Sequence, residues 1–170
     1  MHTTHISAAK IVNYLQLTHL FLNFAAKIEV YMQFLLHYIK KYPFSVTCVT
    51  LIWILSLLPF FPETPLDDVA FIDKWVHFMM YGGTCLVIWV EYVLKHKAPE
   101  YGKLFFWAWL VPVIMGGVLE LMQAYCTTTR NGDWLDFAAN STGVTLAGII
   151  GLIGTMAYYR FQREKGLVRK

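Results

Sequence analysis

Four runs of apolar residues, at about 44–61, 74–94, 104–125 and 134–159, decide what this chain can fold into. Each is long enough, at about 1.5 Å of rise per residue, to carry an α-helix across most or all of a hydrocarbon layer about 30 Å thick. The breaks between them hold turn-forming and charged residues. Pro59, Pro62 and Pro65 with Glu63, Asp67 and Asp68 form the first, Lys95, Lys97, Pro99 and Lys103 the second, and Arg130 to Asp133 the third. The expected fold is therefore an all-α membrane protein, a four-transmembrane-helix bundle with an N-terminal amphipathic interfacial helix. Residues 1–41 form that extension, 42–160 the transmembrane domain and 161–170 a basic cytoplasmic tail. Pro112, inside the third run, is expected to kink it. Composition agrees: 57% of residues are hydrophobic and 15% charged, against roughly 25% charged in soluble domains.

The first 41 residues read differently. Asn13, Gln16, His19, Asn23, Lys27, His37 and Lys40 recur at helical spacing among Leu, Phe, Tyr and Ile. They interrupt every window of about 20 residues that a crossing needs, so the interfacial reading is preferred to an extra span. Met32 offers an alternative start followed by a basic entry to the first span, which would make residues 1–31 dispensable. No cleavable signal peptide is expected. Placing the N-terminus, the 95–103 linker and the C-terminus on one side collects every Lys and Arg there except Lys74 and Arg130. By the positive-inside rule both termini are then cytoplasmic, and four spans satisfy that parity. Cys48, Cys85 and Cys126 cannot all pair, and two of them lie in apolar runs, so no disulfide is expected. A net charge of +3 gives no reason to expect nucleic acid.

Topology gathers scattered polar residues. Asp73, Lys74 and His77 open the second span, Glu120 and Gln123 close the third, and Arg130, Asp133, Asp136 and Asn140 lead into the fourth. All fall at one membrane face, the outer one under this topology. Asp73 and His77, Glu120 and Gln123, and Asp136 and Asn140 are three or four apart, so each pair shares a helix face. A charge near the bilayer centre costs about 2.5–3.5 kcal/mol, and pairing must offset it. Arg130 is expected to fold back onto Glu120 or Asp136, over a pocket floored by His77 and Gln123. Each residue also has a plainer role: Asp133 as a helix N-cap, Asn140 and Gln123 as interhelical hydrogen-bonding groups, and Asp73 with Lys74 as an interfacial charge pair. Gly143, Ala147 and Gly151 continue one face of the fourth span as a helix-packing seam. One histidine with carboxylates is a poor transition-metal signature, and no metal or other cofactor is expected.

The set Asp73-Lys-x-x-His77 with Tyr81, Glu120-x-x-Gln123 and Arg130-x-x-Asp133-x-x-Asp136-x-x-x-Asn140-x-x-Gly143 resembles the VanZ-like family of small bacterial membrane proteins. The resemblance covers about Pro43 to Gly154 and leaves the first 40 residues outside it. It implies a four-span protein of the bacterial cytoplasmic membrane with a role in the cell envelope, and the family's name comes from an association with resistance to teicoplanin. Two functions are compatible with the residues. In one, the pocket binds a membrane lipid, a lipid-linked envelope precursor or a lipidated glycopeptide without chemistry. In the other, a small intramembrane enzyme uses His77 as acid or base with Glu120 or Asp136 as its partner, while Arg130 and Lys74 hold an anion. No serine or cysteine has a convincing base beside it. Neither the oligomeric state nor the ligand follows from the residues.

Overall fold

A computed structural model describes residues 8–58, 70–127 and 132–166, and every regular element among them is helical. The chain divides into two units, Met1–Lys41 and Tyr42–Lys170. The first is a single helix, α1 (Ala8–Lys41), whose last turn carries Lys40 and Lys41 at the negative end of the helix dipole. Its apolar residues are not confined to one side. Leu20, Phe21 and Leu22 are consecutive and so point about 100° apart.

The second unit contains α2 (Pro43–Leu57), α3 (Ile72–Lys95), α4 (Tyr101–Leu104), a π-helical segment (Phe105–Leu110), α5 (Val111–Cys126) and α6 (Trp134–Glu164). From α4 to α5 the helix is continuous. Among the described residues, three helices are long and apolar enough to cross a membrane: Ile72–Lys95, Tyr101–Cys126 and Trp134–Glu164. The first expected span, 44–61, is shorter than its apolar run. α2 has 15 residues and stops at Leu57, with Leu58 in extended backbone at φ −62° and ψ 130°. The cause is local, because a residue before proline is driven out of the α region and Pro59 follows Leu58. At the other end of the chain, α6 continues five residues beyond 159, through an Arg160 Nε to Glu164 Oε1 pair at 3.1 Å. The expected tail from 161 therefore begins as helix.

Pro112 acts one turn earlier than expected. In an α-helix its ring would collide with the carbonyl four residues back and its missing N–H would leave that carbonyl unpaired. The turn ahead of it is widened instead, with the Val111 N–H bonded to the Phe106 carbonyl five residues back.

The most extensive helix pair is α3 with α6. Along their seam, a Cβ on Gly143 would run into the Phe78 carbonyl, one on Gly82 would meet the Gly143 carbonyl at 3.1 Å, and one on Gly151 would lie 2.5 Å from the Trp89 indole. Ala147 and Val144 are buried between them, with Cys85 Sγ against the Val144 carbonyl at 3.5 Å. Backbones this close need residues without side chains, and close approach supplies the dispersion contacts that hold helices together where no hydrophobic drive exists.

α2 is held at both ends. Glu91 of α3, only 4% exposed, accepts from the backbone N–H groups of Ser45 at 2.9 Å and Phe44 at 3.3 Å and from the Ser45 hydroxyl at 2.6 Å. It thereby supplies the cap that Tyr42 does not. At the other end the Gln123 amide of α5 donates to the Ser56 carbonyl at 2.8 Å.

Candidate functional site

Where α3 and α6 begin and α5 ends, three helices bring their polar residues together. Asp133 is the N-cap of α6: its backbone is extended and its Oδ1 accepts from the Leu135 N–H at 2.9 Å, which satisfies one of the free amides of the first turn. The same residue joins two further helices. Its Oδ2 meets Lys74 Nζ of α3 at 2.6 Å, and its backbone N–H donates to Glu120 Oε2 of α5 at 2.9 Å. Gly132 permits that approach, since a Cβ there would strike the Glu120 carbonyl. The Lys74 ammonium, hydrogen-bonded to Asp133, holds this carboxyl below its ordinary value, with the Leu135 N–H acting in the same direction.

Lys74 is the hub. Its ammonium lies 2.6 Å from Asp73, 2.6 Å from Asp133 and 2.9 Å from Asp136. Two of its three donors are hydrogen-bonded, to Asp73 and Asp133, while Asp136 is held as an ion pair whose Oδ1 has no hydrogen-bond partner among the described residues. One turn deeper, His77 and Asn140 are both buried, with His77 Nδ1 3.1 Å from Asn140 Oδ1. The amide oxygen can only accept, so this contact places a proton on Nδ1. The other ring nitrogen, Nε2, lies 3.7 Å from Asp136 Oδ2, too far for a direct hydrogen bond. Among the described residues the Asn140 Nδ2 donor is buried with no partner, as are Asp136 Oδ1 and Ser141 Oγ. Tyr81 packs below, its ring and the Asn140 amide both bordering the bare face of Gly116. α3 enters this end through Phe71 at φ 59°, a left-handed conformation that strains a bulky residue.

Asp73, Lys74, His77, Glu120, Asp133, Asp136 and Asn140 thus form one connected cluster. Gln123 is buried but its amide nitrogen is committed to α2, so it ties helices together where a pocket floor was expected. Lys74, expected to help hold an anion, is engaged here by three carboxylates. Arg130 lies outside the described residues, and so does the expected closure over the pocket. Among the described residues no group of three or more His, Cys, Asp or Glu side chains is arranged to hold a metal ion. The position between the aspartates that a cation would seek is taken by the Lys74 ammonium. Glu91 escaped the sequence reading, although a carboxylate inside an apolar run is itself a signal, since it needs a partner there.

No protein-family model matches the sequence, and no curated protein or solved structure resembles it at a significant level.

Proposed function

We propose that this chain is a multi-pass protein of the bacterial cytoplasmic membrane that binds the polar part of an envelope lipid or a lipidated glycopeptide at the α3–α5–α6 end, contributing to glycopeptide resistance of the teicoplanin type. The observation that carries this reading is the cluster around Lys74. Three spanning helices spend four carboxylates, a lysine, a histidine and an asparagine on one end of the bundle, and inside it the Asn140 Nδ2 donor is left without a partner. Buried polar groups are ordinarily all paired, so an orphan donor in a polar cluster is a place for a ligand acceptor or a water. With Lys74 already matched to three aspartates, the favoured head group is hydroxyl-rich, as in a glycosylated ligand, and a phosphate is disfavoured.

The four-span plan belongs to the same proposal, with both termini cytoplasmic. α2 is short, but Glu91 at one end and Gln123 at the other stretch it along the depth of the bundle. A second reading, an intramembrane enzyme acting on a lipid-linked envelope substrate, is favoured by one detail. His77 is oriented through Nδ1 by Asn140 and turns Nε2 toward Asp136, as an acid–base pair would be. Native mass spectrometry of the detergent-extracted protein tests both readings. Binding predicts a copurifying envelope lipid or added teicoplanin retained unchanged and lost in Asn140→Leu. Catalysis predicts that it is converted, and that His77→Gln retains the unconverted form. Extraction with no bound ligand and no response to teicoplanin would sink both.

A further inference from the structure

Away from the polar cluster, α6 and the Tyr101–Cys126 helix part to leave a groove of about 330 Å³. Tyr101, Phe105 and Trp109 form one wall, Gly148 and Leu152 the other, and Trp89 of α3 the floor. Phe105 and Trp109 stack with centroids 4.9 Å apart, which gives that wall a flat aromatic face. Gly148 keeps the groove open: the nearest side-chain atom to a Cβ placed there is Trp109 Cδ1, at 3.6 Å, and anything longer would project into the space. Trp89 is only 6% exposed and is seated from behind on Gly151. The polar pair in the wall, Trp109 Nε1 donating to Thr145 Oγ1 at 3.1 Å, is already satisfied. Ile149, also on the lining, is the middle residue of the 31-residue α6, whereas Tyr101, Phe105 and Trp109 lie in the first nine residues of the facing Tyr101–Cys126 helix, so the groove runs from the N-terminal end of that helix toward the middle of α6.

We propose that this groove is a binding site for one hydrocarbon chain of a membrane lipid. The surface that faces the groove is almost wholly apolar, since Trp89 Nε1, which has no partner among the described residues, is itself buried behind it, and such a surface beside membrane-length helices asks for an apolar occupant. Size selects among apolar occupants. A partner helix, about 10 Å across, is too wide to enter a groove of this volume and would reach it with side chains only. A chain of about ten methylene-sized groups, at the roughly 30 Å³ that a water-sized group takes in a liquid, fills it. The flat aromatic wall and the missing side chain at Gly148 suit a slim flexible chain, which gains dispersion contacts on three sides that it lacks among other lipids. The site is independent of the polar cluster and stands or falls without it.

The test uses the purified full chain in phosphatidylcholine vesicles that contain a fraction of phosphatidylcholine with a diazirine at mid-chain, irradiated and mapped by peptide mass spectrometry. Trp89 should be labelled although it is buried, while the equally enclosed Tyr81 is not, and Ile153 on the exposed face of α6 reports contact with bulk lipid. Gly148→Phe and, from the opposite end of the groove, Leu152→Trp should each cut labelling at Trp89 several-fold and leave Ile153 unchanged. Labelling at Trp89 that is absent in the native chain, or that survives both substitutions in chains that still label at Ile153, overturns the proposal. A chain-to-chain cross-link passing through Trp109 would overturn it as well, by showing protein in the groove.

Discussion

Asp133 does two jobs that a substitution can separate. Asparagine caps a helix about as well as aspartate but carries no charge, whereas alanine does neither. Asp133→Asn should therefore keep the Leu135 contact and lose the pull on Lys74, and Asp133→Ala should lose both, so thermal midpoints in detergent should fall in the order native, Asn, Ala. Equal midpoints for the two variants would deny the cap. Because the folded-state pKa of Asp133 lies below its ordinary value of 3.8, its contribution is present above that value and is lost as the pH falls through the lowered one. The gap between native and Asp133→Asn should thus be full at neutral pH and close only in strong acid. Glu91 poses a different question. Its carboxylate takes three hydrogen bonds at the start of α2, and a bond to a charged group is worth about 1.5–3 kcal/mol. Glu91→Ala should cost at least about 2 kcal/mol in detergent unfolding and Glu91→Gln less, while an unchanged midpoint would mean that water replaces the cap. The N-cap role of Asp133 is readable from its place before an apolar run. The partners of Lys74 are not, because Asp133 lies 59 residues away and only the pairing of α3 with α6 brings it there.

Between α3 and α6 the contact is made of what is missing. Gly143 and Gly151 each sit where a Cβ would overlap the facing helix, and Ala147 lies buried between them. Overpacking a close seam costs about 1–3 kcal/mol, so Ala147→Leu should lower stability by that amount and Gly143→Leu by more, read as the fraction folded after heating in detergent. If neither variant shifts the transition, the face looks onto lipid. The spacing of these small residues is visible in the sequence, yet their neighbours are not: Phe78, Gly82 and Trp89 come from a helix 61 to 65 residues earlier, and no local pattern pairs them. The ends of the helices divide in the same way. Pro59 fixes where α2 must stop, but the sequence run of apolar residues passes through it and hides the break. The π-helical turn before Pro112 arises from the steric demand of one ring met by adjusting the preceding hydrogen bonds, a compromise that hydrophobic periodicity does not encode.

On the scale of the whole bundle, the question is which side of the membrane each end faces. The polar cluster gathers the C-terminus of α5 and the N-termini of α3 and α6, and the Gln123–Ser56 bond adds the C-terminus of α2. The opposite end holds Tyr42, stacked with His96 at a centroid distance of 6.3 Å, together with Tyr159, whose hydroxyl donates to the His96 carbonyl at 2.7 Å. Lys95, Lys97, Lys103, Arg160, Arg163 and Lys165 lie next to that end in sequence, and Lys40 and Lys41 immediately precede Tyr42, whereas only Lys74 and Arg130 belong to the other. Retention of Lys and Arg on the cytoplasmic side then predicts that the polar cluster faces outward. In a chain with Cys48, Cys85 and Cys126 replaced by serine, single cysteines at Asn131 and Thr64 should react with an impermeant maleimide in intact cells, and one at Pro99 should react only after lysis. The fourth crossing is read at Lys40, on the other side of α2: a cysteine there that is protected in intact cells while Thr64 is labelled requires α2 to traverse the membrane despite its 15 residues. Labelling at Pro99 with protection at Asn131 would turn the bundle over and put the cluster in reach of cytoplasmic ligands, and labelling at both Lys40 and Thr64 would make α2 a re-entrant element packed against three true spans.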